Sequence, residues 1–216
     1  MRSDLPPLHA LALLLGVAAC VTHPEPRVRA QAPLPGAVGN PTLEHRVAEL
    51  ERASEPGPEH HALDPLVGDW LTVLSSVGAD GGEVALASGT TRVQWVLDAR
   101  YLRWEATLEV AGIARQTSGF LGFDRRAANY VYFTVTSLST VMSIARGVGE
   151  LARGGIRFEL EQVDPRTSVV VRMKSVLRLE PGGFVLDQLG PDEGGREHVV
   201  QRTRYRRADA PAAVTR

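Results

Sequence analysis

The residues of this chain that could carry out chemistry are few. His60 and His61 are adjacent, so a helix or a strand would point their side chains apart, and we expect no metal shared between them. His60 is expected to hydrogen-bond to backbone atoms, and His198, in the last predicted strand, is expected at the surface. No Gly-x-Ser-x-Gly elbow occurs. The sequence therefore predicts no catalytic residue, no metal site and no bound cofactor, and it favours a protein that is not an enzyme.

A stripe of arginines is the second group that could bind a ligand or take part in chemistry. Its members recur near the end of the chain at the spacing of a strand: Arg202, Arg204, Arg206 and Arg207. Such a stripe indicates either a solvated strand face or a site for an anionic ligand or lipid head group. The formal net charge of the whole chain is -1, so its charge gives no reason to expect a nucleic-acid partner.

The single cysteine, Cys20, follows an apolar run over residues 8–19. Such a run is too short to cross a bilayer core of ~30 Å as a helix, but it suits an export signal. It ends in Val17-Ala18-Ala19-Cys20, which resembles a lipobox, where bacterial processing acylates the cysteine and cleaves before it. A plain signal peptide is the alternative, but a lone cysteine in this place favours a lipoprotein. We expect a signal peptide over 1–19, a lipid anchor on Cys20 and, because Val21 follows rather than Asp, an outer-membrane lipoprotein facing the periplasm.

The segment after Cys20 differs in composition from the rest of the chain. Nine of the fourteen prolines lie before residue 60. Because a Pro-rich segment with few large apolar groups cannot offset its conformational entropy, residues 20–58 are predicted to form a flexible tether. Within it, apolar residues at helical spacing and Thr42 as N-cap predict a short helix over 42–53. Residues 208–216 are predicted to be a disordered tail.

The region from residue 65 onward has the alternation of β-strands. Leu102, Trp104 and Ala106, for example, alternate with Arg103 and Glu105. A period of two gives each strand one apolar and one polar face. The predicted strands are 67–77, 88–97, 100–109, 113–123, 128–137, 140–148, 155–163, 167–180, 183–189 and 195–206.

Short connections between these strands predict an antiparallel meander. A meander of about ten strands closes readily, since closure removes its exposed edges. The predicted fold is therefore all-β: an antiparallel up-and-down barrel of the lipocalin or calycin type over residues 59–207. A two-sheet sandwich is the alternative.

Residues 56–70, PGPEHHALDPLVGDW, resemble the opening of the bacterial DUF1579 family, a domain of unknown function. Members of that family begin with Pro-Gly-x-Glu-His, followed by Leu-x-Gly-x-Trp. Further similar stretches are Trp95–Leu102, Gly119–Asp124 with Tyr130 after it, and Arg202–Arg207. Gly68-Asp69-Trp70 is also similar to the element that opens the first strand of lipocalin-like barrels. The resemblance implies a barrel of that kind, with Trp70 buried at its floor, and it transfers no catalytic residue.

The architecture favours a tethered barrel that binds a small hydrophobic or amphipathic ligand. An apolar-lined cavity of about 300–1,000 Å³ would support this interpretation. The candidate ligand-binding residues are Trp70, Trp95, Tyr101, Arg103, Tyr130 and Tyr132. One alternative is a structural or interaction protein of the cell envelope whose barrel is filled by its own side chains. An enzyme, or a haem-binding barrel of the nitrobindin type, is a less favoured alternative.

Overall fold

The computed structural model describes residues 42–163, 170–192 and 195–208. The predicted signal peptide, Cys20, the tether up to residue 41 and the tail from residue 209 lie outside the described residues. The chain divides into two units, one over Ala19–Glu55 and one that contains everything from Pro56 onward. The first unit contains helix α1, Leu43–Ala53, whose N-cap Thr42 accepts a hydrogen bond at Oγ1 from the backbone of His45 (3.3 Å).

Among the described residues, the second unit contains a short helix, ten strands and two 3-10 turns. Helix α2 spans Pro58–His61, and the 3-10 turns span Asp64–Leu66 and Leu151–Arg153. The strands are β1 Gly68–Val77, β2 Glu83–Val96, β3 Tyr101–Val110, β4 Ile113–Asp124, β5 Asn129–Thr136, β6 Ser139–Glu150, β7 Gly155–Val163, β8 Val170–Glu180, β9 Gly183–Pro191 and β10 Glu197–Arg207. Each predicted strand therefore has a counterpart in the structure.

The strands form one closed antiparallel barrel in the order of the chain. Closure depends on β1, which pairs with β2 along one edge and with β10 along the other. The β1–β10 register runs from Trp70 opposite Arg207 to Ser76 opposite Gln201. This arrangement confirms the predicted barrel and rejects the two-sheet sandwich.

Strand β2 departs most from its predicted bounds. It begins at Glu83 rather than at residue 88, directly after a turn in which Asp80 Oδ1 accepts a hydrogen bond from the backbone of Gly82 (2.9 Å). The pairing of β1 with β2 shifts register between Leu74 and Ser75. A register shift interrupts the alternation of inward and outward residues, which explains why the sequence pattern did not extend to the start of this strand.

The two ends of the barrel differ. At one end, α2 and the first 3-10 turn close the interior, and Leu63, the N-cap of that turn, and Leu66 within it are fully buried. The β1 residues Trp70, Thr72 and Leu74 are buried, which identifies the inward face of that strand. We call the end beside α2 the closed end, and the opposite end, where β5 turns into β6, the open end.

Candidate functional site

An aromatic cluster fills the half of the barrel next to the closed end. Trp70 is only 2% exposed, as predicted, and its indole Nε1 donates to the backbone oxygen of Leu66 (2.9 Å). Its ring meets Phe184 edge-on, with centroids 4.8 Å apart, and the Arg207 guanidinium lies 4.2 Å from the ring centroid on the outside. Trp104 contacts Phe184 and Tyr205 in the same way. This half of the interior is therefore a packed core rather than a ligand-binding cavity.

His60 belongs to the plug that seals the closed end. Its Nδ1 accepts a hydrogen bond from the backbone of Gly57 (3.1 Å), as expected of a histidine with a backbone partner, and its ring meets Phe123 edge-on. Burial lowers the pKa of His60, so its imidazole is neutral near pH 7 and can act as this acceptor. Tyr130 holds the same segment, since its hydroxyl donates to the backbone oxygen of Glu59 (3.3 Å). The geometry gives His60 a structural role.

The half of the barrel next to the open end contains a cavity of about 220 Å³ that is partly open to solvent. Its polar lining consists of Lys174 and a set of hydroxyl and amide side chains: Thr117, Tyr132, Thr134, Thr136, Ser139, Ser143, Ser175 and Gln188. Its apolar lining consists of Val141, Ala145, Leu160, Met173 and Leu186. The cavity is smaller and more polar than the apolar pocket that the sequence led us to expect.

Tyr132 connects the packed core to the cavity. Its ring contacts Trp104 on one side and Phe158 on the other, at centroid distances of 6.1 and 6.0 Å, and it also lines the cavity. Burial raises the pKa of Tyr132 well above its ordinary value, so its hydroxyl is neutral and can donate or accept a hydrogen bond. The cavity thus has an aromatic floor with a polar group.

Of the six predicted ligand-binding residues, only Tyr132 lines the cavity. Trp70 and Tyr130 lie in the buried core of the closed end, and Trp95 packs against that core while its Nε1 donates to Asp64 Oδ1 (2.8 Å). Tyr101 is 43% exposed, and Arg103 alternates with the buried Leu102 and Trp104, so both lie on the outer face. A binding role for these residues stays a prediction, and the structure does not bring the six together.

Two polar groups near the open end have buried nitrogen atoms without a hydrogen bond among the described residues. One is Nε of Arg115, on the same face of β4 as the cavity-lining Thr117. The other is Nδ1 of His198, which lies opposite Gly190 in the barrel and is half-buried. The expectation of a surface histidine at 198 was therefore wrong, because the start of β10 turns this side chain away from solvent.

Two arginines of the β10 stripe, Arg202 and Arg204, belong to a ring of ion pairs on the outer face. Arg202 pairs with Asp187 (2.5 Å) and Glu83 (2.8 Å), and Arg204 pairs with Glu83 and Glu180. Arg178 of β8 closes the ring through Asp187 (2.6 Å) and Glu180 (3.5 Å). Three arginines and three carboxylates balance, so Arg202 and Arg204 are neither fully solvated nor free to bind an anion. We call this set the ion-pair ring.

Two carboxylates of the ion-pair ring, Glu83 and Asp187, are held in their charged form by the arginines. A hydrogen bond from Arg204 is the main cause that lowers the pKa of Glu83 to about 2; burial opposes it and Arg202 adds to it. Burial alone would raise the pKa of Asp187, but hydrogen bonds from Arg202 and Arg178 outweigh it and lower the pKa. The ring covers Val185, which is fully buried although it lies on the outer face between these arginines.

Among the described residues, no cluster of three or more His, Cys, Asp or Glu side chains could hold a metal ion. The cavity of about 220 Å³ lies below the ~300–1,000 Å³ of sites for drug-sized ligands, so haem does not fit it as it stands. No helix in residues 42–163, 170–192 and 195–208 is both long and apolar enough to cross a membrane.

Comparisons with known proteins agree with the barrel. The model of the family described as "Protein of unknown function (DUF1579)" matches residues 55–207. Among solved structures, the chain is similar to the crystal structure of Rv2717c from M. tuberculosis, with a TM-score of 0.50 and 13% identity over 71% of this chain and 99% of that one. At that identity the likeness shows the fold alone. No curated protein matches the chain. Since the family match covers the whole barrel and most of the chain, this protein belongs to the DUF1579 family.

Proposed function

We propose that this protein is an envelope lipoprotein whose barrel binds a small amphipathic molecule at its open end. The observation that carries the proposal is the cavity of about 220 Å³, whose floor includes the ring of Tyr132. A barrel that served only as a packed scaffold would be filled along its whole length, because interiors pack to the density of organic crystals. Here only the half beside the closed end is filled.

The lining of the cavity indicates the character of the ligand. Hydroxyls of Thr134, Ser143 and Ser175 can donate or accept, so they match varied polar groups. Leu160 and Met173 offer apolar contact on the same surface. A compact ligand with a polar part and a short apolar part satisfies both sets, whereas a purely apolar guest would leave hydroxyls without partners. The mixture supports an amphipathic ligand.

The location is proposed from the sequence. A lipid on Cys20 would fix the chain to a membrane, and residues 21–41 would separate the barrel from it. Val21 in place of an Asp after the cysteine supports the outer membrane. In this proposal the membrane is reached through the anchor, and the barrel itself works in the periplasm.

Filling the cavity is expected to remove the ligand. Ser143→Phe places a large ring among the cavity-lining side chains, while Ile144→Phe, one residue along the same strand, adds the same ring at a position that is 52% exposed. The wild type and both variants are purified from the cell envelope of the organism that produces the protein, and each is examined by native mass spectrometry. A small co-purifying mass should be present in the wild type and in Ile144→Phe and absent from Ser143→Phe. A mass retained in a folded Ser143→Phe would place the ligand elsewhere.

Replacing Cys20 with serine is expected to release the protein from the membrane fraction. Serine has no thiol to take the diacylglyceryl group, so neither the acylation nor the cleavage that depends on it should occur. Labelled palmitate should be incorporated by the wild type and not by the variant. A variant that still fractionates with membranes, beside a wild type that takes up no label, would contradict the lipoprotein proposal.

A further inference from the structure

We infer that Arg115 binds the negatively charged head group of the ligand, a small carboxylate. This inference rests on the proposed binding function and names the ligand class for the same site. Arg115 shares a face of β4 with Thr117, which lines the cavity, and lies one alternation nearer to the open end. Two residues along a strand advance about 7 Å, so its position is at the mouth of the cavity rather than at its floor.

One nitrogen atom of the Arg115 guanidinium lacks a hydrogen-bond partner among the described residues. Its Nε is buried, and it makes no hydrogen bond to any residue that the structure describes. Buried polar groups are nearly always hydrogen-bonded, and a buried nitrogen of a charged group is especially costly to leave unpaired. Arg115 is not among the residues that line the cavity, but a turn of its long side chain towards the mouth would let a ligand carboxylate accept from the guanidinium and recover that cost. The arginines of the ion-pair ring differ in this respect, because each of them already faces carboxylates.

Among the described residues at the open end, the charges favour an anionic ligand. Lys174 also borders the cavity, but its Nζ donates to Glu197, which Arg157 contacts as well (3.2 Å). Among the described lining residues no carboxylate is present. Arg115, whose Nε has no hydrogen-bond partner among the described residues, matches a carboxylate, whose two oxygens fit the planar fork of a guanidinium. A doubly charged phosphate would call for more cationic partners than Arg115 alone.

The volume of the cavity limits the length of the ligand. A cavity of about 220 Å³ lies below the ~300–1,000 Å³ of sites for drug-sized ligands, so it suits a compact molecule. A carboxylic acid with a short alkyl chain is a molecule of that kind. Its tail would lie between Leu160 and Met173, and its head group would lie towards Arg115. Hexanoate is therefore a suitable probe.

The test compares three probes that have six carbon atoms each and differ in head group: hexanoate, 1-hexanol and hexyl phosphate. Each is titrated into the full chain and followed by ligand-observed NMR at fixed ionic strength. We expect hexanoate to bind at least about tenfold more tightly than hexanol. Arg115→Gln should abolish that preference and leave the binding of hexanol unchanged. Arg126→Gln, at an exposed arginine in the β4–β5 turn, should behave as the wild type.

The outcomes separate the inference from the function on which it rests. Equal binding of hexanoate and hexanol to the wild type would overturn the role of Arg115 while leaving the cavity a binding site. Tighter binding of hexyl phosphate would overturn the carboxylate assignment. Binding of none of the probes would overturn both the inference and the proposed function. Should Arg115→Gln fail to fold, Arg115→Lys replaces it: a lysine keeps the charge but loses the fork, so the preference should shrink without disappearing.

Discussion

Replacing Trp70 with alanine is expected to lower the free energy of unfolding by about 3–5 kcal/mol, the range for truncating a buried aromatic side chain. The indole is 2% exposed and lies between Phe184 and the Arg207 guanidinium. Its removal would open a void at the closed end and would leave the Leu66 oxygen without its donor. Urea denaturation followed by far-UV circular dichroism measures the effect without depending on tryptophan emission.

Two control variants separate the causes of this loss. Trp70→Phe keeps most of the apolar volume but loses the hydrogen bond to Leu66, so it should cost about 1–2 kcal/mol. Tyr101→Ala removes an aromatic side chain that is 43% exposed on the outer face, and it should cost well below the Trp70→Ala value. A Trp70→Ala variant as stable as Tyr101→Ala would show that the indole does not hold the closed end.

The interior face of β5 illustrates what sequence alternation can and cannot predict. In the sequence, Val131, Phe133 and Val135 alternate with Tyr130, Tyr132 and Thr134, so the two sets lie on opposite faces of the strand. Apolar residues usually indicate the core side, yet here the tyrosine and threonine face lines the interior, and Phe133 stacks on Phe120 outside (6.5 Å). Period two fixes which residues share a face but not which face is inside. That choice depends on whether the barrel is filled or hollow at that level.

The barrel itself was predictable because its connections are short and its strands alternate regularly. The ion-pair ring and the position of Arg115 were not predictable from that alternation. Glu83 of β2 lies 119 residues from Arg202 along the chain, and Glu180 and Asp187 lie on β8 and β9, so all three meet the β10 arginines only through the register of the strands. The arginine stripe was visible at strand spacing, but its partners required that register. Arg115, Thr117 and Gly119 alternate at strand spacing and so share one face of β4. None of them is a large apolar residue, so a pattern of alternating apolar residues does not identify this face as the inner one.

Replacing Asp187 with alanine is expected to lower the free energy of unfolding by about 2–4 kcal/mol. Its side chain is only 4% exposed and accepts from both Arg178 and Arg202, so its loss would leave two partly buried arginines short of a partner. Asp69 is the matched control, since it pairs with Arg92 at 2.7 Å where both side chains are more than 60% exposed. Asp69→Ala should lower the free energy of unfolding far less than Asp187→Ala, because exposed ion pairs are screened by solvent.

Acid should weaken the same ring in a defined range of pH. The folded-state pKa of Glu83 is about 2, below its ordinary value of 4.5, so folding favours the charged carboxylate. The resulting stability is fully present above about pH 4.5 and is lost as pH falls towards 2, when the folded protein must also take up the proton. Asp187, whose pKa is also lowered, acts in the same direction. Urea denaturation at a series of pH values should therefore give a steep decline in the wild type and a shallower one in Glu83→Gln. Parallel declines in the two proteins would show that other carboxylates carry the acid sensitivity.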